Sequence, residues 1–600
     1  MRRWWWIPDG ALPVNYTLPL HFRGSLEDVR VLPPAAHPEP DSLDLTAMAR
    51  AALNYLRGNP DPARHYECKF ALGPLGIPCH VPISPPNEYG DDVVSLGDTD
   101  ARMNTQFAHM REMAGEGDAP DPVQDGLWQR LLGYRRGDFL CWTNPGACIG
   151  ETIPGEWVNT WTTAKLLMPL AERAARTGDP RLRQEARRMV EALRRLAVWD
   201  GPRAYYWGIA PWKDGQWLLR NWCQQHGRNY PFAVEPFLRY YECTGDEEGL
   251  ALARAFADGM LDEVQPEMGS QRVDAGSGAF CGHVHLHTHA VWGVAHLGAV
   301  LGERRYLDWA ARVHDFVLAQ GTDFGWYPEF VPQGDYRTEI CVVGDMVSLG
   351  AWLARGGRPH YWDVVERTVR NELRASQFAI TPAFAALFQQ VHADQASGVV
   401  RDAMAALRRF EGGFVAQAAF DDWVSYPGSP RLGAAGLYAN GIQMMGCCPP
   451  EGMRALWEAW RGVVETRAEG VYVNLAFSRD HQAAAVRAFR PEDGRIEVAA
   501  RQPGRYHLRP PAWSDRAAWT LTRNGTAVPV HWGGPCQAYV VCEDVRPGDI
   551  LTVTWPVLAF SQRFAARSVP GREQRVSVRW AGSRVVGVEP AGQHLPMFRE

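Results

Sequence analysis

A turn that recurs between helical stretches constrains this chain most. Arg176-Thr177-Gly178-Asp179 separates two helical patterns, Cys243-Thr244-Gly245-Asp246 separates two more, and Leu301-Gly302-Glu303 is a looser copy, each roughly 60 residues from the next. Glycine takes the left-handed position that ends one helix, and the acidic residue caps the next. Helical patterns run over Ala164 to Ala175, Pro180 to Val198, Glu247 to Val264, Arg304 to Ala319, Trp362 to Ser376 and Gly452 to Thr466. A helix hairpin repeated at this period implies stacked α/α pairs. Long connections favour their closure into an (α/α)6 barrel over an open, more uniform solenoid.

The texture changes near residue 466. Val471-Tyr472-Val473-Asn474-Leu475-Ala476-Phe477 alternates with strand period, as do several later runs, and Arg523-Asn524-Gly525-Thr526 reads as a hairpin turn. These features predict a multidomain α+β protein. Residues 1–45 form a Pro-rich, irregular N-terminal extension, 46–465 a helical barrel that carries the chemistry, and 466–600 an accessory β-sandwich.

Composition excludes some classes. A net charge of −6 without a basic block gives no footprint for nucleic acid. No stretch reaches transmembrane length. Met1-Arg2-Arg3-Trp4-Trp5-Trp6-Ile7-Pro8 has too short an apolar run for a signal peptide. Twelve irregularly spaced cysteines are not a disulfide framework. Together these suggest a cytoplasmic protein that does not touch membranes. The sequons at Asn15 and Asn524 then carry no meaning, and a homodimer is left open.

Two short motifs carry the chemistry: Glu339-Ile340-Cys341, and Cys447-Cys448-Pro449-Pro450 about a hundred residues later. Vicinal cysteines bond to each other only with strain, but they bind one metal readily. On an extended segment Glu339 and Cys341 point the same way. Three thiols and a carboxylate complete a tetrahedral set for Zn2+, and a zinc-bound thiolate is both deprotonated and nucleophilic. The run His283-Val284-His285-Leu286-His287-Thr288-His289 has two readings. As a strand it would offer four imidazoles on one face, hence a second metal site. As a loop entering a helix at about His287 it would place His289 in the pocket, and this reading is preferred. Acidic runs at Tyr89-Gly90-Asp91-Asp92 and Asp98-Thr99-Asp100 read as sugar-hydroxyl acceptors, as extra catalytic acids or, as most such runs are, as solvated loops.

Helices, Glu-x-Cys, Cys-Cys-Pro-Pro and terminal strands together resemble glycoside hydrolase family 127, the zinc-thiolate β-L-arabinofuranosidases and their relatives. Gly344-Asp345-Met346, Trp362-Asp363-Val364-Val365-Glu366-Arg367-Thr368, His226-Gly227-Arg228-Asn229, Leu508-Arg509-Pro510-Pro511-Ala512-Trp513 and Gly548-Asp549 extend the resemblance from about residue 155 onward. It implies zinc ligands Glu339, Cys341, Cys447 and Cys448, a nucleophile at Cys447, and sugar contacts from His226, His289 and Glu366. The general acid/base best matches Glu329, with Asp323 and Asp335 as competitors. The family's histidine before lysine is Ala164 here, its His-Ala-Val-Arg ends in Trp292, and the residue after Cys-Cys-Pro-Pro is Glu451 rather than asparagine. Trp292 is thus expected to offer an apolar face to the sugar, and the preferred sugar is expected to differ from a simple terminal β-L-arabinofuranoside. Three function classes remain: a retaining glycosidase with a cysteine nucleophile, an inverting glycosidase or lyase with purely structural zinc, and a non-catalytic sugar-binding protein.

Overall fold

The recurrent turns work as the residues suggest. Gly178, Gly245 and Gly302 have φ of 67°, 73° and 67°. Asp179 and Asp246 accept from Arg181 N at 2.8 Å and Glu248 N at 3.1 Å, while the Thr177 and Thr244 hydroxyls accept from the aspartate backbone N–H groups. Each Thr-Gly-Asp therefore ends one helix and opens the next. This computed structural model describes residues 22–598, apart from 34, 67, 69–91, 118, 139, 144–146, 149–150, 153–155, 208, 221–227, 230–232, 262–271, 332–336, 394, 425–443, 445 and 570–571.

The helices are α1 (Leu45–Gly58), α2 (Asp92–Ala114), α3 (Pro122–Gly133), α4 (Thr160–Thr177), α5 (Pro180–Leu196), α6 (Val234–Thr244), α7 (Glu247–Met260), α8 (Val284–Leu301), α9 (Arg304–Gln320), α10 (Ile340–Arg355), α11 (Tyr361–Thr368), α12 (Pro382–Val391), α13 (Ser397–Leu407) and α14 (Cys448–Val463). Their packing order is regular. α2 packs on α4, α4 on α6, α6 on α8, α8 on α10, α10 on α14, and α14 returns to α2. A second set lies against the first: α1 and α3 on α2, α5 on α4, α7 on α6, α9 on α8, α11 on α10. The three Gly turns and Gly356–His360 join first-set helices to second-set partners in a few residues. The returns to α4, α6, α8, α10 and α14 are longer, and the site is built on three of them.

The stretch expected to be helical throughout also holds short strands between Trp142 and Asn229, which form smaller sheets of their own, and three further sheets draw most of their strands from residues 464–589. One orders its strands 464–467, 470–473, 504–508, 539–545 and 531–533. A second orders 479–480, 484–488, 495–500, 550–554, 520–523 and 526–528. Burial alternates along Arg495–Ala500, with Ile496, Val498 and Ala500 inside. Asn524 and Gly525 take φ of 54° and 79° between paired strands, the two-residue hairpin its sequence calls for.

Several expectations need correction. Within 1–45, Ser25–Val31 is a strand paired with Leu558–Val569 in a third sheet, completed by Arg572–Ala581 and Arg584–Glu589. Only non-local pairing reveals it. The last helix starts at Cys448, because Pro449 and Pro450 open it; proline suits a first turn, where its missing N–H has no partner to lose. The helix after Tyr361 passes into a π-helical turn at Val369–Leu373.

The sheets buttress the helices. Arg509 donates to Asp363 Oδ1 at 2.8 Å and Asn474 O at 2.5 Å, and approaches Glu366 at 3.4 Å. The third sheet packs Phe22, Phe560 and Trp580 in one apolar cluster with Phe324 and Trp326, on the loop that leads to Glu329. Asp323 on that loop accepts from Arg23 N at 2.9 Å and from Gln562.

Candidate metal centre and its surroundings

Glu339 and Cys447 occupy the N-cap positions of α10 and α14, with Cys341 and Cys448 in the first turns. Glu339 has extended backbone (φ −115°, ψ 128°), while Cys341 is already helical. A helix start, not strand alternation, thus brings Glu339 and Cys341 together. Helix N-termini carry partial positive charge that favours carboxylate and thiolate.

The ligand atoms of Glu339, Cys341, Cys447 and Cys448 all lie within 4.8 Å of one another. Cys448 Sγ is 3.3 Å from Cys341 Sγ, 3.6 Å from Cys447 Sγ and 3.6 Å from Glu339 Oε1. Thiolates about 2.3 Å from a tetrahedral zinc stand about 3.8 Å apart, so the donor set fits zinc in type, number and spacing. Cys341, Cys447 and Cys448 are all free of disulfide bonds. Cys341, Cys448 and Glu339 are buried, and Cys447 is partly open. Hydrogen bonding from Cys341, then from Cys448, pulls the Cys447 thiol well below the ordinary range, while burial pushes Cys341 and Cys448 up. The accessible sulfur is thus the one whose thiolate form these neighbours favour.

A second group of ligand atoms, from His283, Glu329 and Glu339, also lies within 4.8 Å. His283 Nε2 is 2.6 Å from Glu339 Oε2. Burial works against both charged forms, but the pairing wins, with Glu339 held at about 2 and His283 at about 9. Glu329 is 7% exposed, and its Oε2 accepts from Arg337 Nε at 2.7 Å and Gln417 Nε2 at 3.0 Å. Trp326 and Tyr327 are buried beside it in sequence, yet the groups bonded to the carboxylate are these polar ones. Of the competitors, Asp323 is bound to Arg23 and Gln562, and Asp335 lies outside the described residues.

The histidine run is helical from Val284, with His283 as N-cap. Helical spacing splits it, so the four-imidazole face of the strand reading does not form. His287 stacks on Phe280 at 4.0 Å. His285 and His289, one turn apart, meet Asp345 from α10, with Nδ1 to carboxylate distances of 2.7 and 3.2 Å. Thr288 Oγ1 and Arg454 Nη2, the latter from α14, each donate to Asp345 at 2.6 Å. Although these imidazoles and Asp345 form a metal-like group, the guanidinium on the same carboxylate already supplies the positive charge. Burial pushes His289 down to about 3. In the neutral ring the tautomer that donates Nδ1–H to Asp345 has its acceptor nitrogen at Nε2.

Other expected site residues fare differently. Trp292 is 2% exposed, with the Arg454 guanidinium 4.0 Å above its ring and His289 edge-on at 5.1 Å. It offers no open apolar face, because Arg454 and His289 cover the ring. Glu366 accepts from Ala476 N at 3.1 Å, Ser583 Oγ at 3.2 Å and Arg509, so its carboxylate joins helix to sheets instead of entering this cluster. Ala164 is fully buried. Asp100 is bound by Arg130 at 3.0 Å and Tyr134 at 2.8 Å and serves helix packing. His226 and Asp91 lie outside the described residues.

Sequence reasoning passed over Arg454 and Arg102, and it met His283, Asp345 and Glu451 only as members of motifs, without the roles they have here. Glu451 is buried between Arg454 (Nε to Oε2 2.5 Å) and Arg102 of α2, which also approaches His285 Nε2 at 3.4 Å. The spacing of Glu451 and Arg454, three apart on one helix, was the available signal; Arg102 had none.

Comparison with known proteins follows this geometry. No family model matches the sequence, and no curated protein matches it. Solved structures do. The fold is that of family 127 glycoside hydrolases. Ara127N-Se, a GH127 β-L-arabinofuranosidase from Geobacillus stearothermophilus T6, superposes with a TM-score of 0.50 at 15% identity, over 90% of this chain and 80% of its own. The GH127 β-arabinofuranosidase BT3674 gives 0.54 at 15%, over 93% and 85%. A third structure, described as a glycoside hydrolase, gives 0.53 at 14%, over 82% and 77%. Among the described residues no helix is long and apolar enough to cross a membrane.

Proposed function

We propose that this chain is a retaining, exo-acting glycoside hydrolase, an (α/α)6 barrel with a β-sandwich behind it, whose nucleophile is the Cys447 thiolate in a zinc site. The observation that carries this reading is the convergence of Glu339, Cys341, Cys447 and Cys448, from residues 109 apart in sequence, at two helix N-termini. When bound, zinc would hold the cysteines as thiolates at neutral pH. Cys447, the accessible sulfur, attacks the anomeric carbon and forms a covalent thioglycosyl intermediate. Glu329 donates a proton to the leaving oxygen, then takes one from the water that hydrolyses the thioglycoside. His289 accepts a sugar hydroxyl at Nε2, with its ring fixed by Asp345. The substrate is a β-L-arabinofuranoside-like terminal sugar. Trp292 no longer argues for an apolar ring face, because Arg454 covers it; Glu451 and Arg102 add to the polar surroundings.

Metal analysis of protein purified without added metal should give one zinc per chain. On a panel of aryl furanosides and pyranosides, Cys447→Ser should lower turnover by about 10^4-fold or more. Glu329→Gln should cost about 10^2- to 10^4-fold on poor leaving groups and much less on activated aryl glycosides. Full activity in Cys447→Ser would leave the zinc structural and overturn the mechanism.

A further inference from the structure

The outstanding group beside the metal centre is His283, which none of the four ligands, the nucleophile or the acid/base explains. Glu339 has two carboxylate oxygens with different partners. Oε1 faces the sulfurs, 3.6 Å from Cys448 Sγ, and Oε2 is 2.6 Å from His283 Nε2. A carboxylate free to rotate would exchange these oxygens or present both to a metal. The imidazole prevents this by engaging one of them.

His283 is itself held tightly. It pairs with Phe330 in a two-residue antiparallel bridge, Gly282 with Val331 and His283 with Phe330. Val284 N donates to Glu329 O at 2.9 Å across the same junction. Gly282 has a φ of 110°, which a residue with a side chain rarely adopts, so the chain reaches this position at little cost only with glycine. The His283 ring lies 5.0 Å from the Phe330 ring, and its backbone carbonyl accepts from His287 Nδ1 at 2.8 Å. The bridge ties the residue after Glu329 to the residue that touches Glu339. The two carboxylates of the site are therefore set by one structural unit.

We infer that His283 is a positioning residue: it donates Nε2–H to Glu339 Oε2, so that Oε1 is the oxygen left facing the sulfurs, where it would serve a zinc ion, and it fixes the distance between this ligand and Glu329. The inference rests on the zinc reading above and adds to it a residue outside the four ligands. Hydrogen-bond partners of metal ligands typically contribute about 10- to 100-fold in metal affinity.

The test measures zinc affinity directly, by competition with a chromophoric chelator, on three proteins: wild type, His283→Phe and His283→Gln. Phenylalanine keeps a ring against Phe330 and removes the donor; glutamine keeps a donor. His283→Phe should bind zinc about 10- to 100-fold more weakly, with one site per chain retained, and His283→Gln should recover part of the loss. Cobalt substitution gives a second readout. The sulfur-to-cobalt charge-transfer band should persist in His283→Phe, because all three thiolates remain, while the visible d–d bands shift with the altered carboxylate. Affinity and d–d bands identical to wild type in His283→Phe would overturn the inference. A wild-type protein that binds no zinc would instead overturn the reading on which it rests, so the two failures are distinguishable. If His283→Phe fails to fold, His283→Leu, which also lacks a donor, takes its place: weakened affinity there supports the inference, and unchanged affinity overturns it.

Discussion

Asp345 illustrates how much a single buried charge organises here. Its carboxylate is fully buried and accepts from His285, Thr288, His289 and Arg454. Arg454 in turn pairs with Glu451, and Glu451 with Arg102, so the chain of charges links α2, α8, α10 and α14. The signs alternate, which is the condition for burying charge in low dielectric. Asp345→Asn removes the negative member and leaves Arg454 with less compensation. We expect a loss of about 3–5 kcal/mol in denaturant unfolding. Turnover should also fall where protein remains folded, because the amide can donate to one imidazole nitrogen and invert its tautomer. A variant as stable and active as wild type would show that Asp345 only fills space.

At the scale of the elements, the Thr-Gly-Asp turns set where the site is built. They are short because glycine reverses the chain in the left-handed region, and the second-set helices must then return to the first set by longer routes. Those returns carry His283, Glu329, Glu339 and Cys447. The conformational cost at the turns can be isolated. At Gly245, φ is 73° and an added Cβ meets nothing within 4 Å. Gly245→Ala should therefore destabilise by about 1–2 kcal/mol through backbone strain alone, read as a shift in denaturation midpoint with unchanged m-value. No shift would mean that the turn relaxes freely. Arg509 shows the complementary case. The Leu-Arg-Pro-Pro-Ala-Trp segment and the Trp-Asp-x-x-Glu-Arg segment, recognised separately in sequence, meet each other through Arg509, Asp363 and Glu366. Their joint purpose is docking sheets on helices.

For the whole molecule, buried titratable groups predict how stability depends on pH. Glu372, in the π-helical turn, is fully buried; desolvation, then the nearby Asp421, raise its carboxyl to about 8. Burial opposes charge on His296, but Glu235 and Glu242, at 2.8 and 2.9 Å on its two nitrogens, raise it to about 8. Both native values lie above the unfolded ones, near 4.3 for a glutamate and 6.5 for a histidine. The native state therefore binds more protons over these windows, and stability falls as pH rises: from about 4.3 to about 8 for Glu372, and from about 6.5 to about 8 for His296. Thermal melts from pH 5 to 9 should show a decline on the alkaline side. Glu372→Gln should flatten it, being more stable than wild type at pH 8.5 and no more stable at pH 5. An unchanged slope in the variant would remove Glu372 as its source.

The sequence by itself determined the helical pairs, the run of strands from near residue 466 and the four-residue donor set, but not the short strands between Trp142 and Asn229. These depend on local rules: glycine and aspartate at helix ends, alternation in strands, and thiols and carboxylates with few other uses in that pattern. The partners of those residues were decided only in three dimensions. His283 looked like one of four equivalent imidazoles until the helix start at Val284 separated it from the rest and the bridge to Phe330 turned it to Glu339. Trp292 looked like an open face until Arg454, 162 residues later, covered it. Ser25–Val31 became a strand only because Leu558–Val569 lay beside it. In each case the deciding energy is a contact between distant residues, and such contacts exist only once the chain has closed on itself.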